Sequence, residues 1–256
     1  MNTALEFRNI SVVTPSGRLL LSEVSLALES GTVTAVLGRS GSGKTTLLRT
    51  ANRMLETAHG EILVAAQNVT EISPVALRRK MGYVIQETGL FPHFNVERNV
   101  GIVLEAEGES REQRAKRSHE LLHLVGLDPR EFSQRYPYQL SGGQRQRVGL
   151  ARALSVEPKI LLMDEPFGAL DPLTRAEMQD MLLELLKRLH TTVLLVTHDL
   201  EEALYLAQRI VLVSDGKLVA DLPRDAFLAS THPAIVAYAN AFRRGQSVRN
   251  QREGHA

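Results

Sequence analysis

The chain has 256 residues, with 30 Lys+Arg against 29 Asp+Glu. That length makes one large or two small domains around a sizeable core, and 43% hydrophobic with 23% charged residues is a globular composition, not a disordered or fibrous one. A formal net charge of +1 argues against nucleic acid as the main partner, and zero cysteines exclude disulfide scaffolds, zinc–thiolate centres, iron–sulfur clusters and cysteine nucleophiles.

Taken in chain order, Leu5–Ile10 and Val24–Leu28 are predicted as an antiparallel edge, followed by a buried strand over Val33–Leu37 and another over Gly82–Gln86. From about Glu97 to Ala153 the pattern is helical. A charged stretch, Glu105–Glu120, precedes apolar Leu121–Val125, a break at Gly126–Pro129 and a helix after Ser141. Buried strands follow at Ile160–Met163, Thr192–Thr197 and Arg209–Ser214. An amphipathic helix over Leu173–Leu189 lies between the first two, apolar at Leu173, Ala176, Met181, Leu182, Leu185 and Leu189. Asp215-Gly216 is a two-residue hairpin signal leading into Lys217–Ala220. Alternation of strand and helix predicts an α/β fold. The expected organisation is a core over 1–88 and 156–222, a helical subdomain over about 89–155, two short C-terminal helices within 223–242, and a frayed tail over 243–256. The N-terminal stretch lacks a basic start followed by an apolar run, so no signal peptide is expected. Apolar runs such as Val193–Val196 and Ile210–Val213 fall far short of the roughly 20 residues that span a bilayer.

Three segments carry chemistry. Gly38-Arg39-Ser40-Gly41-Ser42-Gly43-Lys44-Thr45 is a G-x-x-x-x-G-K-[ST] loop between a predicted strand and a helix, with Thr46 next to it. Its glycines let successive N–H groups face phosphate oxygens at a helix N-terminus. Lys44 is then placed for the β- and γ-phosphates, and the Thr45 hydroxyl for Mg²⁺. Ile160–Asp164 is an apolar strand ending in a carboxylate suited to Mg²⁺, and Glu165, one residue on, points elsewhere and is a candidate to polarise an attacking water. Leu140-Ser141-Gly142-Gly143-Gln144 offers an N-cap serine and two bare glycine N–H groups, a second anion-binding helix start. His119 and His123 have metal-like i, i+4 spacing but no third ligand, and the Arg111–Arg117 run alternates in sign; both read as solvated helix faces.

These three segments, in this order, resemble the nucleotide-binding subunit of an ATP-binding cassette (ABC) transporter, from Leu5 to about Phe242. The resemblance implies a RecA-like P-loop NTPase core with an antiparallel β edge and an inserted helical subdomain, and hydrolysis of ATP with Mg²⁺. It implies roles for Gln86 in the Q-loop (Mg²⁺ and membrane-partner sensing), Asp171 in the D-loop, His198 as the switch histidine on the γ-phosphate, Asp164 on Mg²⁺ and Glu165 as general base. Ser141, Gly142, Gly143 and Gln144 would cap the γ-phosphate held by a partner subunit, so the active unit is expected to be a homodimer, or a pair with a second ABC ATPase.

With no spanning segment, separate permease polypeptides are expected, an arrangement resembling bacterial importers. The chain would then sit peripherally on the cytoplasmic face of the inner membrane, served indirectly by a substrate-binding protein. Leu77–Phe94 and Tyr136-Pro137-Tyr138-Gln139 look most like ATPases of importers for glycine betaine, choline and other osmoprotectants. Import of another small solute, or a non-transport ABC ATPase acting on a membrane partner, is the alternative. That group often has a C-terminal pair of small regulatory domains, and with the sequence ending at Ala256 the pair is expected to be missing. One position departs from the family pattern: Thr14 falls where most members have an aromatic residue stacked on adenine.

Overall fold

The fold is described from a computed structural model covering residues 2–253. A long hairpin, β1 (Thr3–Val13) and β2 (Leu19–Glu29), leads into β3 (Val33–Leu37), the glycine loop and α1 (Lys44–Ala51). Next come β4 (His59–Val64), β5 (Gln67–Asn68), α2 (Pro74–Arg79) and β6 (Met81–Val84). The helical insertion holds α3 (Val96–Ala106), α4 (Arg111–Leu124), α5 (Pro129–Phe132) and α6 (Gly142–Ala153). The chain then alternates through β7 (Ile160–Asp164), α7 (Pro172–Leu189), β8 (Thr192–Val196), α8 (Leu200–Leu206) and β9 (Arg209–Ser214). It closes with β10 (Lys217–Pro223), α9 (Arg224–Ala229) and α10 (Pro233–Glu253).

Two sheets organise these elements. The larger has the order β10-β9-β3-β8-β7-β6, parallel except for β10, which pairs antiparallel with β9 across the Asp215-Gly216 turn. Both turn residues have positive φ, 49° and 75°, as the tight hairpin turn requires. β3, β7 and β8 are buried at every position because each face has its own core. On β8, Val193 and Leu195 pack among the helices, whereas Leu194 and Val196 pack with α1 and the smaller sheet. That arrangement accounts for the uninterrupted apolar strands in the sequence.

Four local expectations change. β1 and β2 are not an edge of the main sheet; with β4 and β5 they form a separate antiparallel sheet of order β2-β1-β4-β5. Leu5, Phe7, Ile10 and Val24 are buried in the second core, and that burial draws the hairpin across the main sheet instead of alongside it. The strand before Gln86 stops at Val84, leaving Gln86 in an exposed loop. On α7, Met178, Leu182, Leu185 and Leu186 are buried, but Leu173 is 71% exposed, one turn ahead of the packed stripe. Finally, α10 continues past Phe242 to Glu253; residues 254–256 of the expected tail lie outside the described residues.

Candidate active site

β3, β7 and β8 end side by side at the carboxyl edge of the parallel sheet, which places the glycine loop, the Asp164-Glu165 pair and His198 together. The loop can follow its path only with glycine at its closest approaches. Gly43, the residue before α1, has φ 108°, and a Cβ there would lie 2.7 Å from Leu21 Cδ2. The N-terminus of α1 has no side-chain cap, which leaves its leading N–H groups without such a partner, and Gly43 to Thr46 line the cleft. Lys44 is 5% exposed, and its Nζ donates to the Gly38 and Arg39 carbonyls at 2.9 and 3.0 Å. Thr45 Oγ1 donates to Asp164 Oδ1 at 2.9 Å, tying the start of α1 to the end of β7.

Burial lowers the Lys44 pKa against the pull of Glu165 and Asp164, and burial likewise raises that of Asp164. At both groups burial outweighs the opposite charges nearby. A polyphosphate carrying a divalent cation supplies further opposite charge to each, so the residues present fit a Mg²⁺-nucleotide. Ser42 Oγ, buried and without a hydrogen-bond partner, is a further polar group at the loop.

Glu165 stands over this floor. Its φ is 45° and its N–H donates to the Val196 carbonyl at 2.9 Å, which turns the chain sharply out of β7. Its Oε2 accepts from Gln86 Nε2 at 3.4 Å and lies 3.2 Å from His198 Nδ1. Three residues far apart in sequence thus meet at one carboxylate oxygen. The segment after His198 is braced from α7. Arg175 donates to the Leu170 carbonyl at 3.1 Å and lies 3.5 Å from the Asp199 carboxylate. Beneath it, burial and then Asp199 push the Glu202 carboxyl up to about 8.

The cleft has a volume of about 610 Å³ and is lined by Ser40, Gly41, Gly43, Lys44, Thr45, Thr46, Gln86 and Glu165. Arg18, Leu19, Leu20, Asp215 and Gly216 also line it, none of which the sequence singled out as site residues. Asp215-Gly216 is legible only as a hairpin turn, and residues 18–20 enter because β2 crosses over the loop. Thr14 is not among the lining residues. Its hydroxyl is held in the β1–β2 turn by Ser16 Oγ and the Arg18 N–H, at 2.8 and 3.0 Å.

The remaining predicted residues lie outside this cleft. Ser141 caps α6 with a reciprocal box: Gln144 N–H donates to Ser141 Oγ at 3.2 Å, and Ser141 N–H to Gln144 Oε1 at 2.9 Å. Ser141 and Gly142 are exposed, whereas Gly143 is buried against Thr174 of α7. Asp171 caps α7 by accepting from Thr174 N–H at 3.0 Å, a bond that holds its carboxyl below the ordinary range. His119 and His123 are exposed, His119 pairs with Glu97 at 2.8 Å, and no group of three metal-ligating side chains forms among the described residues.

Residues 21–168 match the family model described as ABC transporter. The chain belongs to the ABC transporter family. It is 45% identical over 84% of its length to the choline transport ATP-binding protein OpuBA of Bacillus subtilis (strain 168), matching 56% of that protein. It is 43% identical over 84% of its length to the glycine betaine uptake system ATP-binding protein YehX of Escherichia coli (strain K12), matching 69% of it. The chain therefore spans about half the length of OpuBA and about two thirds of YehX. Among solved structures, a dimeric post-hydrolysis state of the ATP-binding cassette MJ0796 bound to ADP and Pi shares 31% identity with a TM-score of 0.78. That likeness covers 86% of this chain and 98% of the other, and the ABC ATPase fold follows from it.

Proposed function

We propose that the chain is the ATP-hydrolysing subunit of an osmoprotectant importer. The observation that carries the ATPase reading is the meeting of Gln86, Glu165 and His198 directly above the Lys44 and Thr45–Asp164 floor. In the proposed reaction the glycine loop and Lys44 hold the β- and γ-phosphates, and Thr45, Asp164 and Gln86 hold Mg²⁺. Mg²⁺ held there would supply positive charge against the phosphates. Glu165 takes a proton from water as the water oxygen bonds to the γ-phosphorus and the bond to the ADP oxygen breaks. His198, 3.2 Å from the same carboxylate oxygen, orients that water and contacts the γ-phosphate.

Ser141 through Gln144 and Asp171 lie outside the cleft, which supports their serving a second copy's nucleotide. The active unit is then a dimer with two composite sites, and MJ0796 is dimeric. No helix among the described residues is long and apolar enough to cross a membrane; relatives named as transport ATP-binding proteins support coupling to transport through separate permease subunits on the cytoplasmic side. Relatives named for choline and glycine betaine transport support a quaternary amine as the solute. The test is uptake of labelled choline and glycine betaine by a transporter-deficient strain expressing the chain with its permeases. Uptake that requires Lys44 and Glu165 supports the proposal; ATPase activity without uptake of either solute removes the osmoprotectant assignment.

A further inference from the structure

α10 docks on the core through Ile235, Tyr238, Ala239 and Phe242, a stripe at helical spacing. This stripe brings the Tyr238 hydroxyl to the switch segment, where it donates to the His198 carbonyl at 2.8 Å. That carbonyl lies one residue before the α8 N-cap, Asp199, and so outside the helical hydrogen-bond ladder. One phenol on a C-terminal helix therefore touches the peptide that carries His198.

We infer that Tyr238 is a positioning residue: through its hydroxyl, α10 fixes the His198 peptide and so holds the imidazole toward Glu165. The reasoning rests on the ATPase reading above. His198 itself is exposed, its side chain 62% accessible, so little packing restrains the imidazole and its direction depends on how the backbone behind it is held. Tyr238 suits the task chemically. Burial pushes its pKa up to about 12, and the nearby Asp199 and Glu165 carboxylates act in the same direction, so the hydroxyl stays a donor at physiological pH. Because α10 follows the last strand of the core, whatever shifts this helix also shifts the switch.

The test compares wild type, Tyr238→Phe and Phe242→Leu in the full chain. Tyr238→Phe keeps the ring and its packing but removes the bond; Phe242→Leu trims the same stripe without touching the switch. Expected for Tyr238→Phe is a three- to tenfold fall in kcat, a KM for ATP within twofold of wild type, and faster hydrogen exchange at the amides of residues 198–200. Expected for Phe242→Leu is a lower Tm with kcat unchanged. Unchanged kcat and exchange in Tyr238→Phe, beside an active wild type, would overturn the inference and leave the ATPase reading standing. A loss in Tyr238→Phe that tracks Tm, and is matched by Phe242→Leu, would reduce Tyr238 to a packing residue and overturn it as well. A wild-type chain that binds but never hydrolyses ATP would overturn both.

Discussion

Two helix N-termini in this chain look alike in sequence, each with glycines and a small hydroxyl residue, yet they end differently. α1 begins at Gly43 in the left-handed region with no side-chain cap, inside a cleft, its first residue a buried lysine bonded only to carbonyls. α6 begins at exposed Ser141 and already has its N3 amide satisfied by the reciprocal bonds with Gln144. The first end is short of partners within its own chain and is open to an anion. The second keeps only the N–H groups of Gly142 and Gly143 and the Ser141 hydroxyl hydrogen for an outside acceptor. A helix start that satisfies itself can contribute to a phosphate site without being one, which fits half of a site shared between copies.

The comparison can be broken at the α1 end first, where the largest effect is expected. Glu165→Gln keeps shape and hydrogen bonding but cannot take the proton, so kcat should fall by about 10²- to 10⁴-fold with ATP binding intact. The variant should accumulate as an ATP-dependent dimer on size-exclusion chromatography. Near-normal turnover would remove Glu165 from the reaction.

Next in size is the buried carboxyl behind the switch. Glu202, whose pKa is raised to about 8 by burial, binds a proton in the folded chain that the unfolded chain releases near pH 4.3. Its contribution to stability is therefore full below about pH 4.3 and is lost as pH rises towards 8. Glu202→Gln should raise Tm at pH 8.5 by several degrees, at ~2–4 °C per kcal/mol for a chain of this size, and change it little at pH 5. Equal shifts at both pH values would show that Glu202 does not titrate in this window.

At the α6 end, Ser141→Ala removes one capping bond and should cost about 1 kcal/mol, a Tm loss of about 2–4 °C, measurable by calorimetry on the isolated chain. No loss would mean that the box does not form in solution. The smallest effect concerns the base. Among the described residues no aromatic side chain lines the cleft, and stacking of a base on a ring is worth about 1–3 kcal/mol. The chain should therefore hydrolyse GTP within about tenfold of ATP; a hundredfold preference for ATP would require a ring that swings in.

The phosphate side was legible because its chemistry is local. A strand, a glycine loop and a helix lie within one stretch of sequence, and residues Gly38 to Thr45 leave the backbone few other paths. The ending of β7 at Asp164 was legible for the same reason. Gln86 and His198 were not legible from their surroundings: each is a lone polar residue after a strand, and only the family register singled them out. Their convergence on Glu165 is made by the order of β6, β7 and β8, which no short pattern encodes. Leu19, Leu20 and Arg18 were missed because β2 belongs to the smaller sheet, which crosses the loop. The alternating apolar pattern of β2 reads the same for an edge strand as for a separate sheet. Thr14 marks the limit of register alone. It sits at the expected position in sequence, but hydrogen bonds within the turn occupy its hydroxyl away from the cleft.

The measurement that most directly tests whether the two helix ends are halves of one site is complementation by mixing. Ser141→Arg spoils the α6 end and Lys44→Ala the α1 end, so each variant alone should be inactive. In a mixed dimer one composite site inherits both defects and the other neither, and ATPase activity should recover in part as heterodimers form. Heterodimers that demonstrably form and hydrolyse no ATP would contradict the shared site, or its ability to work with one intact half-pair.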